Sequence, residues 1–522
     1  MSLKSNITAN YASQLYTTLI GIVLVPLYLR YMGGEAYGLV GFFAMLQAWF
    51  NLLDLGLTPT IARESARYHG AAMSAVAYRR LYRSLSVVFV CIAVVGGGAL
   101  FVMADAVTYR WLNIGNLPPA DVLAAVQIMA VCVALRWMGG LYRGVVSGSE
   151  RLVWLSGFNA VIATFRFVGV FWSMWVWGFT PIVFFWHQLA VAAIEVGGLL
   201  AMCHRLLPGG KHITERIGWS FRPIQPLLRF SLTIAFTSSV WVLVTQTDKL
   251  VLSGILPLAE YGYFTLAVLV AGGITIISGP ISMAIMPRMA RLHAEGQHSE
   301  VRRIYNQAAQ LVSVIAGSLA ITLIVCAESL LFAWTGNREV TDATAPILRL
   351  YAIGNGLLAL GAFPYYLQYA RGNLRYHLIG NLVLVVLLIP AIVVAAMKAG
   401  GIGAGWVWVS INALYLIFWV GYVHSKLEPG LHWKWLTSNA LAIVVPTALV
   451  GLLMGMLQSH SGLDGRLAAT ARSVGTAIAC LIAATLASPQ LRPSALRAVR
   501  AKLSAIALWA AAASANRRRR HE

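Results

Sequence analysis

Arg136 and Arg166 are the residues whose type and position most demand a chemical explanation. Each lies inside a long apolar run, and Arg166 falls near the middle of its run, far from any polar surroundings its side chain could reach. A guanidinium there needs a carboxylate, a water-filled cavity or an anionic ligand, and its planar fork matches phosphate. The other ionisable residues within apolar runs are Asp54, Glu195 and the neighbours Asp248 and Lys249. Asp54 and Asp248 are candidates for coupling to protons or cations; for Asp54 the alternative is an ion pair with Arg63 or another helix end. Glu328 and Arg349 lie nearer run ends, where long side chains snorkel outward. His187, beside Trp186, is read as a packed and hydrogen-bonded histidine before a titrating one.

Neutral polar residues recur beside these charges at helical spacing. Asn10, Gln14, Thr17 and Gly21 follow an i, i+4, i+7, i+11 pattern, and Gln47, Asn51, Asp54 and Thr58 repeat it. Asn159, Arg166 and Ser173 are seven apart, a step that drifts only about 20° on a straight helix. Thr245 precedes Asp248 and Lys249 by one turn. Such stripes face either a shared wet interior or a neighbouring helix through interhelical hydrogen bonds. Asn10, Gln14, Gln47, Asn51, Asn159, Lys249, Arg136 and Arg166 are therefore the candidate substrate ligands. Trp172, Trp175 and Trp177 read as an interfacial aromatic belt.

The elements that hold these residues are helices in a bilayer. Hydrophobic residues make up 59% of the 522 and charged residues 11%, against roughly a quarter charged in a soluble domain. Apolar runs of about 20 residues, enough to cross a ~30 Å hydrocarbon core, recur along the chain. We read fourteen spans, near 10–29, 36–59, 84–104, 121–142, 152–177, 181–203, 230–252, 261–286, 307–332, 344–370, 378–397, 402–424, 437–458 and 466–487. Basic residues collect in alternate connections: Arg63, Arg67, Arg79 and Arg80 after the second span, Arg143 and Arg151 after the fourth, Arg288 and Arg291 after the eighth. That alternation puts both termini in the cytoplasm and accounts for the formal charge of +21 without nucleic acid. The five cysteines are scattered singly without metal-ligand spacing, and no cofactor or nucleotide motif is present. The first apolar run lacks a signal-peptide cleavage pattern.

The chain is internally duplicated. Tyr37-Gly38 and Ala66-Arg67-Tyr68-His69 return as Tyr261-Gly262 and Ala290-Arg291-Leu292-His293, both at an offset of 224. Arg79-Arg80-Leu81-Tyr82 returns as Arg302-Arg303-Ile304-Tyr305 at 223. The expected organisation is an all-α polytopic membrane protein with two parallel six-helix lobes, 1–205 and 230–425, joined by a cytoplasmic linker 206–229. Two further helices over 426–488 and a basic tail 489–522 complete it; the tail reads either as an amphipathic helix on anionic lipid or as a solvated basic segment. The polar residues inside the apolar runs are not copied: Asp54 aligns with Ser278 and Asn51 with Thr275, while at an offset of about 228 Arg136 and Arg166 fall on Pro364 and Val394.

The order and spacing of Pro26, Gly33-Gly34-Glu35-Ala36-Tyr37-Gly38, Leu53-Asp54-Leu55-Gly56-Leu57 and Arg63 resemble the lipid-linked oligosaccharide flippases. These form the polysaccharide transporter branch of the multidrug/oligosaccharidyl-lipid/polysaccharide exporter superfamily. Thr247-Asp248-Lys249-Leu250-Val251-Leu252, Glu260-Tyr261-Gly262-Tyr263 and Pro287-Arg288 extend the likeness into the second half. The resemblance implies a two-lobed alternating-access transporter of the bacterial inner membrane, not an enzyme. Its implied cargo is an undecaprenyl-pyrophosphate-linked oligosaccharide, for O-antigen, capsule or exopolysaccharide synthesis, with membrane lipids, a polysaccharide polymerase and chain-length proteins as partners. A drug or organic-cation antiporter is the rival reading, but it favours an acidic interior. A membrane glycosyltransferase or polymerase fits poorly with 18 acidic residues and short outward loops.

Overall fold

The structure, a computed structural model, describes residues 3–208, 220–459, 465–493 and 496–497. Most of the expected linker, at 209–219, and nearly all of the basic tail lie outside the described residues. The fold is all-α. Its main helices are α1 (Leu3–Val23), α2 (Val25–Phe50), α3 (Leu57–His69), α4 (Ala75–Val102) and α5 (Pro119–Gly148). There follow α6 (Leu152–Trp177), α7 (Pro181–Leu206), α8 (Leu228–Ile255), α9 (Leu258–Ala294) and α10 (His298–Val325). The last four are α11 (Arg338–Ala370), α12 (Arg375–Leu427), α13 (Leu431–Gln458) and α14 (Arg466–Ala487). Among the described residues, eleven helical segments are long and apolar enough to cross a membrane. One of them, α12, covers two expected spans, and α1 and α8 lie over two more. This is a multi-pass membrane protein.

Local chemistry sets the breaks. Gly33, at φ 84°, interrupts α2 between the first and second expected spans, in backbone that glycine adopts without strain. Ala399 and Gly400 (φ 52°) divide α12 in the same way between the eleventh and twelfth. Ser74 and Thr180 cap α4 and α7 by accepting the amides of Ala77 and Val183.

Compactness divides the chain into two units: Met1–Leu266 with Asn381–Ala404, and Ala267–Gly380 with Gly405–Glu522. This partition follows packing and cuts elsewhere than the lobe boundaries read from the repeat. In the first unit, Tyr28 stacks on Phe171 with centroids 5.0 Å apart, and Phe89 on Trp137 at 4.7 Å. Gly140, Gly144 and Gly148 form a stripe on α5 against Thr58, Ile61 and Ala62 of α3, so the two backbones approach closely. The second unit is centred on the buried rings of Tyr305, Phe363 and Trp435.

The duplicated motifs bracket corresponding crossings. Tyr37-Gly38 opens the second piece of α2 and Tyr261-Gly262 lies near the start of α9; Ala66–His69 and Ala290–His293 close α3 and α9. The two Tyr-Gly pairs also meet within the first unit. A Cβ on Gly262 would stand 2.8 Å from the Gly34 carbonyl, and one on Gly38 would strike the Leu258 carbonyl. The copies differ in the middle. α9 runs unbroken for 37 residues, whereas Leu55 (φ 47°) and Gly56 (φ 71°) break the first copy between Phe50 and Leu57. Ser231 donates to the carbonyl of Leu55 at 2.6 Å and holds that break.

Candidate functional site

Three helices of the first unit place polar residues two turns apart on facing sides: Arg136 and Arg143 on α5, Asn159 and Arg166 on α6, Gln188 and Glu195 on α7. α5 packs along α7 and α1 along α6, so these faces converge. Ser13 donates to the Ser156 carbonyl at 2.8 Å, and Tyr16 and Thr164 share a 2.7 Å hydrogen bond, fixing α1 against α6.

The convergence makes a cavity of about 420 Å³ lined by Asn10, Ser13, Gln14, Thr17, Thr18, Asn159, Arg143, Arg166 and Glu195, with Ile162 and Ala163. Among the described residues, Glu195 is the one acidic side chain in that wall. Its carboxylate is 3% exposed and is shared: Oε2 accepts from Arg166 Nη2 at 2.7 Å, and Oε1 from Arg143 Nη2. Arg166 Nε is buried with no protein partner.

Arg136 sits apart from the cavity wall. Its Nη1 donates to Gln47 Oε1 at 2.8 Å, its Nη2 to Gln188 Oε1 at 2.6 Å, and its guanidinium carbon lies 5.0 Å from the Phe43 ring centre. Gln188 in turn donates to the backbone carbonyl of Arg166 at 3.0 Å, linking the two arginines. Three arginines thus gather around one carboxylate, and the cluster carries excess positive charge.

α6 opens into a π-helical turn over Phe165–Gly169, around Arg166. Its exposed carbonyls are taken by side chains: Tyr28 donates to Phe167 at 2.8 Å, Gln188 to Arg166, and His187 to Phe165 at 2.9 Å. Because His187 Nε2 must be the donor to a carbonyl, its Nδ1 accepts from Ser173 at 2.8 Å. Both nitrogens are satisfied, as a packed histidine requires.

Of the residues singled out in the sequence, Asn10, Gln14, Asn159 and Arg166 line the cavity together. Arg136 and Gln47 stand behind it, and Asn51 is exposed where the 3-10 turn Asn51–Asp54 begins. Asp54 accepts from the Thr58 amide at 3.2 Å and from its hydroxyl, at the start of α3. Lys249 is held locally by Asp248 Oδ1 at 3.3 Å and the Thr245 carbonyl at 2.6 Å, and neither it nor Asp248 lines the cavity. Arg349 and Glu328 do more than snorkel: they pair at 2.8 Å. Two contributors have roles that the sequence pattern does not give. The basic alternation puts Arg143 in a connection, but α5 extends past it to Gly148. Glu195 stands out in the sequence as intramembrane, and its seven-residue step from Gln188, matching Arg136 to Arg143, is the signal for its partners.

Comparison with known proteins agrees with this architecture. The polysaccharide biosynthesis protein family matches residues 3–293, more than half of the chain. A Shigella flexneri protein named as an O-antigen transporter is 21% identical over 425 residues, 80% of this chain and 97% of that one. A Bacillus subtilis membrane protein, EpsK, is 21% identical over 379 residues, 72% of each. Among solved structures, an inward closed conformation of the lipid II flippase MurJ covers 93% of this chain and 98% of its own, with a TM-score of 0.69 at 12% identity. An inward-facing MATE transporter of the MOP superfamily covers 80% and 96%, with a TM-score of 0.64 at 13% identity. The fold is that of the MOP transporters, and the chain belongs to the polysaccharide biosynthesis protein family.

Proposed function

We propose that this protein is a flippase for an anionic, lipid-linked oligosaccharide, carrying undecaprenyl-pyrophosphate-linked repeat units from the cytoplasmic to the periplasmic leaflet of a bacterial inner membrane by alternating access. In this reading both termini are cytoplasmic and the product feeds surface polysaccharide synthesis. The observation that carries it is the cavity wall, in which Arg143 and Arg166, two guanidinium groups sharing the single carboxylate of Glu195, stand among neutral hydrogen-bonding residues. Its volume of about 420 Å³ falls in the range of small-ligand sites. Arginine forks suit a pyrophosphate, and Asn10, Gln14, Thr17 and Asn159 suit sugar hydroxyls. Arg136, held by two amides and a ring, positions the π-turn of Arg166 rather than meeting the headgroup. The family membership and the O-antigen transporter relative support the same reading. Excess positive charge disfavours the rival cation antiporter.

The test is genetic and biochemical. A deletion strain without a redundant flippase accumulates lipid-linked repeat units in the cytoplasmic leaflet and loses surface polysaccharide; undiminished polysaccharide would refute the proposal. In complementation, Arg166→Ala lowers export about 30-fold or more, the scale of losing a desolvated charge-assisted contact. Arg166→Lys, which keeps the charge without the fork, lowers it less. Wild-type export from both variants at wild-type expression would remove Arg166 from the site.

A further inference from the structure

Glu195 poses a problem for any anion site built on Arg143 and Arg166. Its carboxylate already takes one Nη2 of each guanidinium, so a headgroup that engages the full forks competes with an anion belonging to the wall. The groups facing Glu195 are Arg136, Arg143 and Cys132 from α5 and Arg166 from α6, while the α1 side of the cavity offers the neutral Asn10, Gln14 and Thr17. The partners are unequally buried: Glu195 is 3% exposed, but Arg143 is 36% and Arg166 22% exposed, so the arginines have more open space around them than the carboxylate they share.

We propose that Glu195 is a resident counter-anion that sets how readily the site releases its cargo. On binding, the headgroup takes over the forks of Arg143 and Arg166. The displaced carboxylate, buried and deprived of partners, is neutralised by taking one proton from solvent, with no other bond made or broken. On release the proton returns to solvent and the carboxylate re-pairs both arginines, so departure of the cargo does not leave two uncompensated cations. A carrier needs a site strong enough to fill and weak enough to empty, and an internal competitor supplies the second half of that requirement. This inference rests on the headgroup reading of the cavity.

The experiment is calorimetric titration of inorganic pyrophosphate into the full-length protein in detergent, for wild type and Glu195→Gln, across pH and in buffers of differing ionisation enthalpy. At neutral pH, Glu195→Gln binds about tenfold more tightly, roughly the effect of one close competing charge. Wild type takes up more protons per bound pyrophosphate than the variant, and the affinity gap closes as pH falls; comparing the two proteins cancels the ligand's own titration. Glu195→Asp, whose carboxylate is retracted but still titrates, tightens binding less and keeps the pH dependence, which a loss of packing would not reproduce. In export assays Glu195→Gln saturates at lower cargo and turns over more slowly. Equal affinity and equal proton uptake in wild type and Glu195→Gln, with pyrophosphate binding abolished by Arg166→Ala, would overturn the counter-anion role and leave the headgroup site standing. No pyrophosphate binding, or binding indifferent to Arg143→Ala and Arg166→Ala, would overturn both.

Discussion

The cavity between α1, α5, α6 and α7 and the interior of the second unit solve the same problem in opposite ways. In the first, charges are gathered and incompletely neutralised around about 420 Å³. In the second, several buried polar side chains are joined in neutral pairs: Gln310 donates to Asn439 at 3.0 Å, Asn439 to Asn306 at 2.8 Å, and the Trp408 indole to Asn355 at 3.0 Å. The second unit's cavity, about 150 Å³, is lined by residues such as Val312, Ala316, Ile321 and Leu357. In a low-dielectric interior a satisfied amide pair is glue between helices, whereas a surplus of charge persists only where something mobile or anionic can answer it. The second unit also puts two arginines on one carboxylate, Arg302 and Arg371 on Glu428, but that cluster does not line the apolar cavity, whereas Glu195 and its arginines line theirs.

The comparison is broken most severely by moving charge to the wrong side. Ala316→Arg places a guanidinium in the apolar wall at a residue 2% exposed, and costs about 3 kcal/mol or more in insertion and packing. The expected outcome is loss of accumulation in the membrane, read by fluorescence-detected size exclusion; normal yield would show that the second interior tolerates charge as the first does. A smaller effect separates site from glue. Gln188→Ala and Gln310→Ala each remove buried amide hydrogen bonds and lower stability by about 1–2 kcal/mol, seen as a drop in unfolding midpoint. Per folded molecule, Gln188→Ala reduces export several-fold because Arg136 and the Arg166 turn lose their tie, while Gln310→Ala does not; equal export from the two would erase the distinction. The smallest effect is at the rim: Glu328→Gln opens a pair whose side chains are 39% and 59% exposed, shifting stability by less than about 1 kcal/mol. A larger loss would mean that the pair is structurally required.

Much of this was legible in the chain itself. The crossings show as apolar runs because each must satisfy its backbone internally and present apolar side chains to lipid. Gly33 and Gly400 mark reversals because glycine tolerates positive φ. Arg166 stood out because mid-membrane charge is costly. Asp54 shows the limit of that logic. Its position in an apolar run makes it a coupling candidate, but the sequence does not show the Leu55-Gly56 break, which starts a helix at Leu57 and brings the Thr58 amide onto its carboxylate. A carboxylate at a helix start and a coupling carboxylate carry the same letter.

Composition and period alone therefore determined an all-helical, duplicated membrane protein with unreplicated charge in its first half, since those properties depend on one segment at a time. Tertiary structure alone decided who answers the charge. Arg143, Arg166 and Glu195 come from three helices, and whether a guanidinium meets a carboxylate, an amide or an open cavity depends on how helices rotate against one another. That rotation is set here by the Gly140-Gly144-Gly148 stripe on α5 and the hydrogen-bonded π-turn of α6, contacts between distant segments that no single segment specifies.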